Sequence, residues 1–230
     1  MPVITLANTK GGAGKTTAAL ILATELARYG ARVTILDADP QHWISHWKDI
    51  SGPIRNVEVI SHVTMASIQG HIRENRDNTD YFIVDLAGAR NTLMATAIGL
   101  SDHVLIPIQG CAMDARGGAQ VLELLGQLEK QAGICIPHSV VLTRVNSLVT
   151  TRALQVVKEL LSERRVTVLD TPIIERSAFR DIFDCGGTLQ TMDVSRVSNL
   201  EKACENARAF ADEVRRLVPL RMVGSVRRAA

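Results

Sequence analysis

The chain has 230 residues, of which 46% are hydrophobic and 22% charged, with a formal net charge of +2. These values are ordinary for a soluble α/β domain, and no apolar run approaches the roughly eighteen residues that span a bilayer. Aromatic residues make up only 3% of the chain, which argues against recognition by stacked aromatic side chains. The widely spaced cysteines form no C-x-x-C pair and are expected to be free thiols in a reducing cytoplasm; they are Cys111, Cys135, Cys185 and Cys204.

Short β-branched runs alternate with longer amphipathic segments along the chain. The predicted strands cover 3–8, 31–39, 57–62, 80–88, 103–109, 136–145 and 166–173, and the clearest helices cover 15–29, 114–131, 151–164 and 196–217. Several strands are apolar almost throughout, as parallel strands covered on both faces are. The pattern predicts an α/β fold with a single doubly wound, mostly parallel sheet and helices on both faces.

One domain over residues 1–230 is expected, because the sequence contains no internal repeat, low-complexity tract or long linker. The first predicted strand begins at residue 3, so no N-terminal helix-turn-helix domain is expected before it. Residues 214–230 are predicted to form a basic C-terminal tail, which is discussed below.

Residues 8–17, NTKGGAGKTT, are typical of a phosphate-binding loop between a strand and a helix. The glycines let backbone N–H groups turn toward phosphate oxygens, and the positive end of the following helix faces the same anion. Lys15 is placed to contact the β- and γ-phosphates, and the Thr16 hydroxyl is placed for Mg²⁺. The alternative is a glycine-rich turn that binds nothing, but such a turn would not account for the G-K-T-T ending. The predicted nucleotide-binding residues here are Gly11, Gly12, Ala13, Gly14, Lys15, Thr16 and Thr17.

This loop departs from the standard pattern at its first position, where Thr9 replaces a glycine and Lys10 follows it. The stretch KGGAGKTT resembles the deviant Walker A motif, xKGGxGK[ST], of the ParA/MinD family of ATPases. In that family the early lysine reaches across a dimer to the phosphates bound by the other subunit. The resemblance implies that Lys15 serves its own nucleotide and Lys10 the partner's, in a homodimer that is stable while ATP is bound. A solvated loop lysine is the alternative for Lys10.

The second strand ends in ILDADPQ, which places Asp37 and Asp39 on the same side of the chain. The stretch resembles the family's D-x-D-P-Q motif. By that resemblance Asp37 lies near Mg²⁺ and its waters, while Asp39 positions the attacking water. Carboxylates at a strand end also cap helices, and this alternative stays open for the segment from Pro40 onward.

The stretch DYFIVDLAG resembles a Walker B strand ending in Asp85, which implies a water-mediated contact with Mg²⁺. Many family members continue with prolines, whereas this chain continues with Leu86, Ala87 and Gly88, as small plasmid-type (ParF-like) ParA proteins do. The resemblance thus gives a catalytic set of Lys10, Lys15 and Asp39 and a metal-binding set of Thr16, Asp37 and Asp85.

Two later segments resemble the family's adenine pocket. The strand end VVLTRVN indicates Thr143 and Arg144, and DTPIIERSAF indicates Pro172, Ile173 and Ile174. An ordinary strand end is the alternative for both. The stretch CAMDARGGAQ resembles a helix start at a dimer face, with Asp114 as its N-cap.

The C-terminal tail, residues 214–230, contains no acid and five arginines: Arg215, Arg216, Arg221, Arg227 and Arg228. Such a segment is suited to nonspecific contacts with duplex phosphates. A tail lying on an anionic membrane, as in MinD, and a frayed soluble end are the alternatives.

Two further patterns are expected to have a structural role rather than a catalytic or metal-binding one. His42 and His46 lack the neighbours of a metal site, and Trp43 and Trp47 are expected to pack on one helix face.

The resemblance covers about residues 3–215, and the chain is identified as similar to ParA-type partition ATPases. It implies ATP/ADP and Mg²⁺ as cofactors, an ATP-bound homodimer, nonspecific duplex DNA, and slow hydrolysis stimulated by a centromere-binding, ParB- or ParG-like adaptor. The expected location is cytoplasmic, on the nucleoid in the ATP state. The alternatives are a MinD-like ATPase at a membrane, an ATPase that positions a chemoreceptor cluster or conjugation complex, and a metabolic P-loop enzyme of the dethiobiotin synthetase or nitrogenase-reductase kind.

Overall fold

The computed structural model describes residues 1–110, 112–146, 152–164 and 166–220. Its strands are β1 (Val3–Leu6), β2 (Val33–Ala38), β3 (Val57–Ile60), β4 (Tyr81–Leu86), β5 (His103–Gln109) and β6 (His138–Thr143). They form one sheet in the order β3-β2-β4-β1-β5-β6, and every neighbouring pair is parallel. The predicted doubly wound parallel sheet is therefore confirmed.

Helices cover both faces of the sheet. They are α1 (Lys15–Arg28), α2 (Trp43–Ser51), α3 (Ile68–Asn75), α4 (Thr92–Gly99), α5 (Ala112–Ala132), α6 (Arg152–Glu163), α7 (Ala178–Cys185) and α8 (Leu200–Leu217), with a 3₁₀ turn at Leu189–Thr191. Helices α1, α2, α7 and α8 share one apolar core with the sheet, and α3, α4, α5 and α6 share the other. Alternation along each strand supplies both cores, as where Ile4 faces the first and Val3 the second.

The predicted strand at 166–173 is wrong as a continuous strand. The segment runs beside β6 but forms one isolated parallel bridge with it, Val140 with Val168, and a second bridge, Val145 with Ile174, lies just past both segments. Between the bridges, the backbone amides of Asp170 and Thr171 donate to the Glu213 carboxylate of α8, at 2.7 and 2.8 Å. Pro172 then has no N–H to donate, so the ladder is interrupted.

Helix α5 begins at Ala112, so Asp114 lies inside its first turn and the prediction that it is the N-cap is wrong. The sequence pattern does not clearly predict the short helices α3, α4 and α7. Each has eight residues, too few turns for a decisive apolar period. Among the described residues, no helix combines the length and apolar character needed to cross a membrane. In the same part of the chain Cys135, Cys185 and Cys204 are free thiols, while Cys111 lies outside it.

The two tryptophans of α2 have different environments. Trp47 is fully buried and its Nε1 donates to the Gly187 carbonyl at 2.9 Å, whereas Trp43 is 49% exposed. The expectation that both pack on one face is wrong for Trp43, which as the first residue of the helix borders an open cleft. The neighbouring His42 contacts His62 edge-to-face, and no group of three metal-ligating side chains occurs among the described residues.

This contrast predicts unequal effects of truncating the two tryptophans. Trp47→Ala is expected to lower the free energy of unfolding by about 3–5 kcal/mol, because it empties a buried site and removes the bond to Gly187. Trp43→Ala is the matched control and is expected to change it by no more than about 0.5 kcal/mol. Urea unfolding followed by circular dichroism measures both, and equal losses would contradict the packing described.

Candidate functional site

The three sequence motifs meet at the carboxyl edge of the sheet. Strands β2, β4 and β1 are neighbours, so the segments that follow them lie side by side. Asp37 and Asp85 are directly paired in the β2–β4 register. The loop after β1 turns through Gly12 and Gly14, whose φ angles of 78° and 89° lie in the left-handed region that favours glycine. This edge is where open α/β sheets bind ligands.

The phosphate loop, residues 8–14, is anchored to β5 and α5. The fully buried Asn8 donates to the Pro107 carbonyl at 2.7 Å and accepts from the Lys10 amide at 2.9 Å. The Thr9 hydroxyl is shared between the Gln120 side chain and the Gly117 carbonyl of α5. At the position where the standard motif has glycine, this chain therefore uses a side chain that docks the loop on a helix.

Gly117 is required by this docking. A Cβ atom there would collide with the Asn8 side chain and lie 3.1 Å from the Lys10 Cβ. Asn8, Gln120 and Gly117 are structural supports of the loop that the sequence motifs do not single out as site residues. Their contacts join residues about a hundred positions apart, which no local pattern reveals.

Lys15 spans the loop it belongs to. Its side chain is only 5% exposed, and its Nζ donates to the Lys10 carbonyl at 3.1 Å. Burial lowers the pKa of the Lys15 ammonium, while the nearby Asp85 and Asp39 carboxylates act against this shift. The two lysines of the motif are thus linked by a hydrogen bond in this structure.

Asp85 is a buried carboxyl group without a hydrogen-bond partner of normal geometry among the described residues. Burial raises the pKa of Asp85 to about 8; Asp37 adds to the rise, while the Thr16 hydroxyl and Lys15 oppose it. An unpartnered buried carboxyl group costs stability, and such a group beside a phosphate loop suits a cation with its water shell.

The other two carboxylates are satisfied by backbone amides. Asp37 is fully buried, and its Oδ2 accepts from the amide and hydroxyl of Ser45, the third residue of α2. Asp39 is half-buried, and its Oδ1 accepts from the Gln41 amide at 2.9 Å. The alternative that these aspartates cap the next helix thus holds geometrically for Asp37, and it does not compete with a role in metal binding because a carboxylate has several lone pairs.

An open cleft of about 710 Å³ lies beside the loop. Asp39, which follows β2, lines the cleft, and aromatic side chains from α2 and α7 form another wall. The lining residues include Gly11, Gly12, Gly14, Lys15, Thr16, Thr17, Asp39, Trp43, Gly88, Arg144, Phe179 and Phe183. A Cβ atom at Gly88 would lie 2.5 Å from the Gly11 nitrogen. Glycine at this position therefore lets the segment after Asp85 pack directly on the phosphate loop.

The predicted adenine residues lie together behind the loop. The buried Thr143 hydroxyl donates to the Ala13 carbonyl at 2.8 Å, so this side chain supports the loop. Arg144 has a left-handed φ of 50° and lies 3.8 Å from the Glu175 carboxylate. With Ile173 and Ile174 they line a small cavity of about 40 Å³. The Pro172 carbonyl accepts from Asn206 of α8, which holds this segment in place.

The described arginines of the tail lie far from the loop. The Arg215 guanidinium stacks on the Tyr29 ring at 4.3 Å and lies 3.5 Å from the Asp212 carboxylate, whereas Arg216 is exposed. The nearby Val218 carbonyl accepts from Tyr81, the first residue of β4, so these arginines lie toward the amino edge of the sheet. Arg221, Arg227 and Arg228 lie outside the described residues.

A glycine-rich loop between β1 and α1, at the carboxyl edge of a parallel sheet, defines this chain as a P-loop nucleotide-binding protein. Residues 1–223 match the family model described as "VirC1 protein", and the chain belongs to that family, within the ParA/MinD group of P-loop ATPases. The resemblance stated from the motifs is thereby confirmed.

Individual relatives support this assignment. The chain is 38% identical over 211 residues to Protein ParA of Rhizobium radiobacter, covering 92% of this chain and 95% of that one. It is 28% identical over 186 residues to Protein virC1 of Rhizobium rhizogenes, covering 78% and 79%. The solved Cyanothece McdA–ATP complex has a TM-score of 0.73 at 19% identity, over 93% of this chain and 96% of that one, and so shares the fold.

The unpartnered state of Asp85 predicts a stability gain in Asp85→Asn. The raised folded-state pKa, about 8 against about 3.9 in an unfolded chain, means that the folded wild type binds this proton more tightly. Wild-type stability therefore falls, relative to the variant, as the pH rises from about 4 to about 8. We expect the nucleotide-free variant to gain ~1–3 kcal/mol at pH 8 and less at pH 5, in urea unfolding.

Asp39→Asn serves as the control for this experiment, because it removes a half-buried carboxylate of the same site that is already hydrogen-bonded. It is expected to change the free energy of unfolding less at both pH values. A loss of stability in Asp85→Asn at pH 8 would contradict the interpretation.

Proposed function

We propose that this protein is a ParA-type partition ATPase, in which ATP binding joins two copies into a dimer that holds duplex DNA without reading its sequence. Hydrolysis is slow until a centromere-binding, ParB- or ParG-like adaptor stimulates it, and the cycle segregates plasmid or chromosomal DNA. The observation that carries the proposal is the phosphate loop with two lysines, Lys10 and Lys15, beside the buried Asp85 carboxyl group. The near full-length likeness to a protein named ParA supports it.

The nucleotide phosphates are bound by the loop amides from Gly11 to Thr17, with Lys15 as the cis cation. Lys15 is already held over the loop by the Lys10 carbonyl, which lowers the cost of ordering its long side chain. The adenine base is assigned to the region of Thr143, Arg144 and residues 172–174, which lies behind the loop next to Gly14.

Thr16, Asp37 and Asp85 are assigned to Mg²⁺, directly or through water. The unpartnered oxygens of Asp85 fit this role, because a cation would offset the cost of burying that carboxylate. When bound, Mg²⁺ supplies positive charge that stabilises the developing charge on the transferred phosphoryl group. Asp39 reaches the open cleft and is assigned to orienting the attacking water.

Lys10 is assigned to the phosphates of the partner subunit. Its backbone amide donates to Asn8 and its carbonyl accepts from Lys15, so its backbone is held on both sides. A second cation on each nucleotide would make the dimer depend on ATP, because the two subunits otherwise bring like charges together.

The DNA surface is assigned to the basic C-terminal region, including Arg215 and Arg216 and the tail residues Arg221, Arg227 and Arg228. Arg216 is exposed, and the Arg215 side chain is 42% exposed although it contacts Tyr29 and Asp212. A dimer doubles this surface, which makes nonspecific binding steeper in salt and stronger than for a monomer. The protein is expected in the cytoplasm, on the nucleoid in its ATP state.

Substitution of each lysine separates binding from dimerisation. Lys15→Ala is expected to lower ATP affinity by at least about 100-fold, because it removes the cation on the bound phosphates. Lys10→Ala is expected to leave monomer affinity for ATP within about threefold of wild type and to abolish the ATP-dependent dimer. Calorimetry measures affinity and light scattering measures mass; an ATP-dependent dimer retained in Lys10→Ala would refute the trans assignment.

DNA binding is tested with a random-sequence duplex in ATP, in ADP and without nucleotide, across a salt series. We expect binding in ATP only, with the slope against log salt reduced by about 1 for each phosphate-contacting arginine removed. Arg216→Ala is the test variant, and Arg73→Ala, an exposed arginine of α3 on the other face of the sheet, is the control. No binding in any nucleotide state would exclude the DNA function, and binding to anionic liposomes instead would favour a MinD-like function.

A further inference from the structure

Asp37 is held by two hydrogen bonds that converge on one oxygen. Its Oδ2 accepts from the Ser45 backbone N–H at 2.9 Å and from the Ser45 hydroxyl at 2.6 Å. Its Oδ1 is held less tightly, at 3.4 Å from the Asp39 amide. Ser45 therefore determines which oxygen of the buried Asp37 carboxylate makes the shorter hydrogen bonds to the protein.

The hydroxyl of Ser45 is itself oriented by a second serine. Ser61, which follows β3, donates its hydroxyl to the Ser45 Oγ at 2.8 Å. Because Ser45 then accepts from Ser61, its own proton is directed at Asp37. The chain Ser61–Ser45–Asp37 runs from one strand end through a helix to the neighbouring strand end.

Helix capping explains only part of this arrangement. The Ser45 amide is one of the first-turn amides of α2 that have no partner inside the helix, and Asp37 satisfies it. The bond from the hydroxyl is not needed for capping, since it adds a second donor to an oxygen already used. The His42 Nδ1 lies 3.9 Å from the same oxygen, too far for a hydrogen bond.

We propose that Ser45 is a positioning residue for the metal site, which fixes the Asp37 carboxylate in the orientation that Mg²⁺ and its waters require, and that Ser61 orients the Ser45 hydroxyl. This inference rests on the proposed function in one respect, the assignment of Asp37 to Mg²⁺. It does not depend on dimerisation or on DNA binding.

The pairing of Asp37 with Asp85 explains why orientation matters. The two carboxyl groups are register partners on adjacent strands. A rotated Asp37 would change the distance between its charge and the metal-binding oxygens of its neighbour. Residues that orient metal ligands typically contribute about 10- to 100-fold to metal affinity.

The experiment measures how Mg²⁺ promotes binding of AMPPNP, a non-hydrolysable ATP analogue, by calorimetry in a magnesium titration without DNA. Ser45→Ala is expected to raise the half-maximal Mg²⁺ concentration by about tenfold, and Ser61→Ala by a smaller factor. Ser45→Thr keeps the hydroxyl and is expected to restore the wild-type value to within about twofold. Binding of AMPPNP in EDTA is expected to be unchanged in all three variants.

Ser51→Ala is the matched control. Ser51 lies in the same helix, and its hydroxyl also makes two hydrogen bonds, to the Trp47 carbonyl at 2.6 Å and from the Gly187 amide at 2.8 Å. Its loss is expected to lower the thermal unfolding midpoint without moving the Mg²⁺ requirement. Thermal unfolding of every variant separates loss of fold from loss of positioning.

The outcomes distinguish the inference from the function on which it rests. If Ser45→Ala and Ser51→Ala show the same Mg²⁺ requirement as the wild type, the positioning role is overturned while the metal site stands. If the wild type binds AMPPNP equally well with Mg²⁺ and in EDTA, the metal assignment fails and the inference fails with it. A selective, Thr-rescued shift in Ser45→Ala supports both.

Discussion

The burial of opposite charges at the carboxyl edge of the sheet is the constraint on which the rest of the site depends. Lys15 and Asp85 are both removed from water, and neither is neutralised by a direct ion pair of short geometry among the described residues. Burial lowers the pKa of Lys15 and raises the pKa of Asp85, and both shifts favour the neutral form of the side chain. A polyanion with its divalent cation would supply what each group lacks, so ligand binding and relief of this unfavourable burial are the same event.

The surrounding structure holds this arrangement in place rather than relaxing it. Thr143 supports the loop from β6, Asn8 ties it to β5, and Thr9 ties it to α5. Glycine at positions 88 and 117 allows two further segments to lie against the same loop. Because these contacts come from both sides of the loop, its conformation is largely formed before ligand binds, which reduces the entropy lost on binding.

The same contacts connect the nucleotide site to other parts of the molecule. The bond between Thr9 and Gln120 places α5 in direct contact with the residue before Lys10. The bonds from Ser45 connect α2 to Asp37, and the aromatic end of α2 borders the cleft at Trp43. The carboxyl edge of the sheet is therefore in direct contact with two helices that lie on opposite faces of the sheet, α5 through Thr9 and α2 through Asp37.

Much of the fold could be predicted because its determinants are local. Most of the β-branched apolar runs, such as β4, are buried on both faces as strands, and the long helices α5, α6 and α8 carry an apolar period. The predictions failed where a distant side chain competes with local pattern. The Glu213 carboxylate accepts hydrogen bonds from two backbone amides of the segment at 166–173. Trp47 donates to the Gly187 carbonyl and is buried, whereas Trp43 is exposed.

The sequence by itself identified the phosphate loop and its two lysines, because such a loop needs fixed residue types at short spacing after a strand, and its resemblance to family motifs identified the carboxylates at 37, 39 and 85 as candidate site residues. Only the tertiary structure decided that Asp85 is buried without a hydrogen bond of normal geometry among the described residues, that Asp37 is held by Ser45, and that Thr9 docks on α5. Those features depend on strand order and on contacts between residues far apart in the chain. Burial and hydrogen-bond geometry arise from such contacts, and a linear motif contains neither.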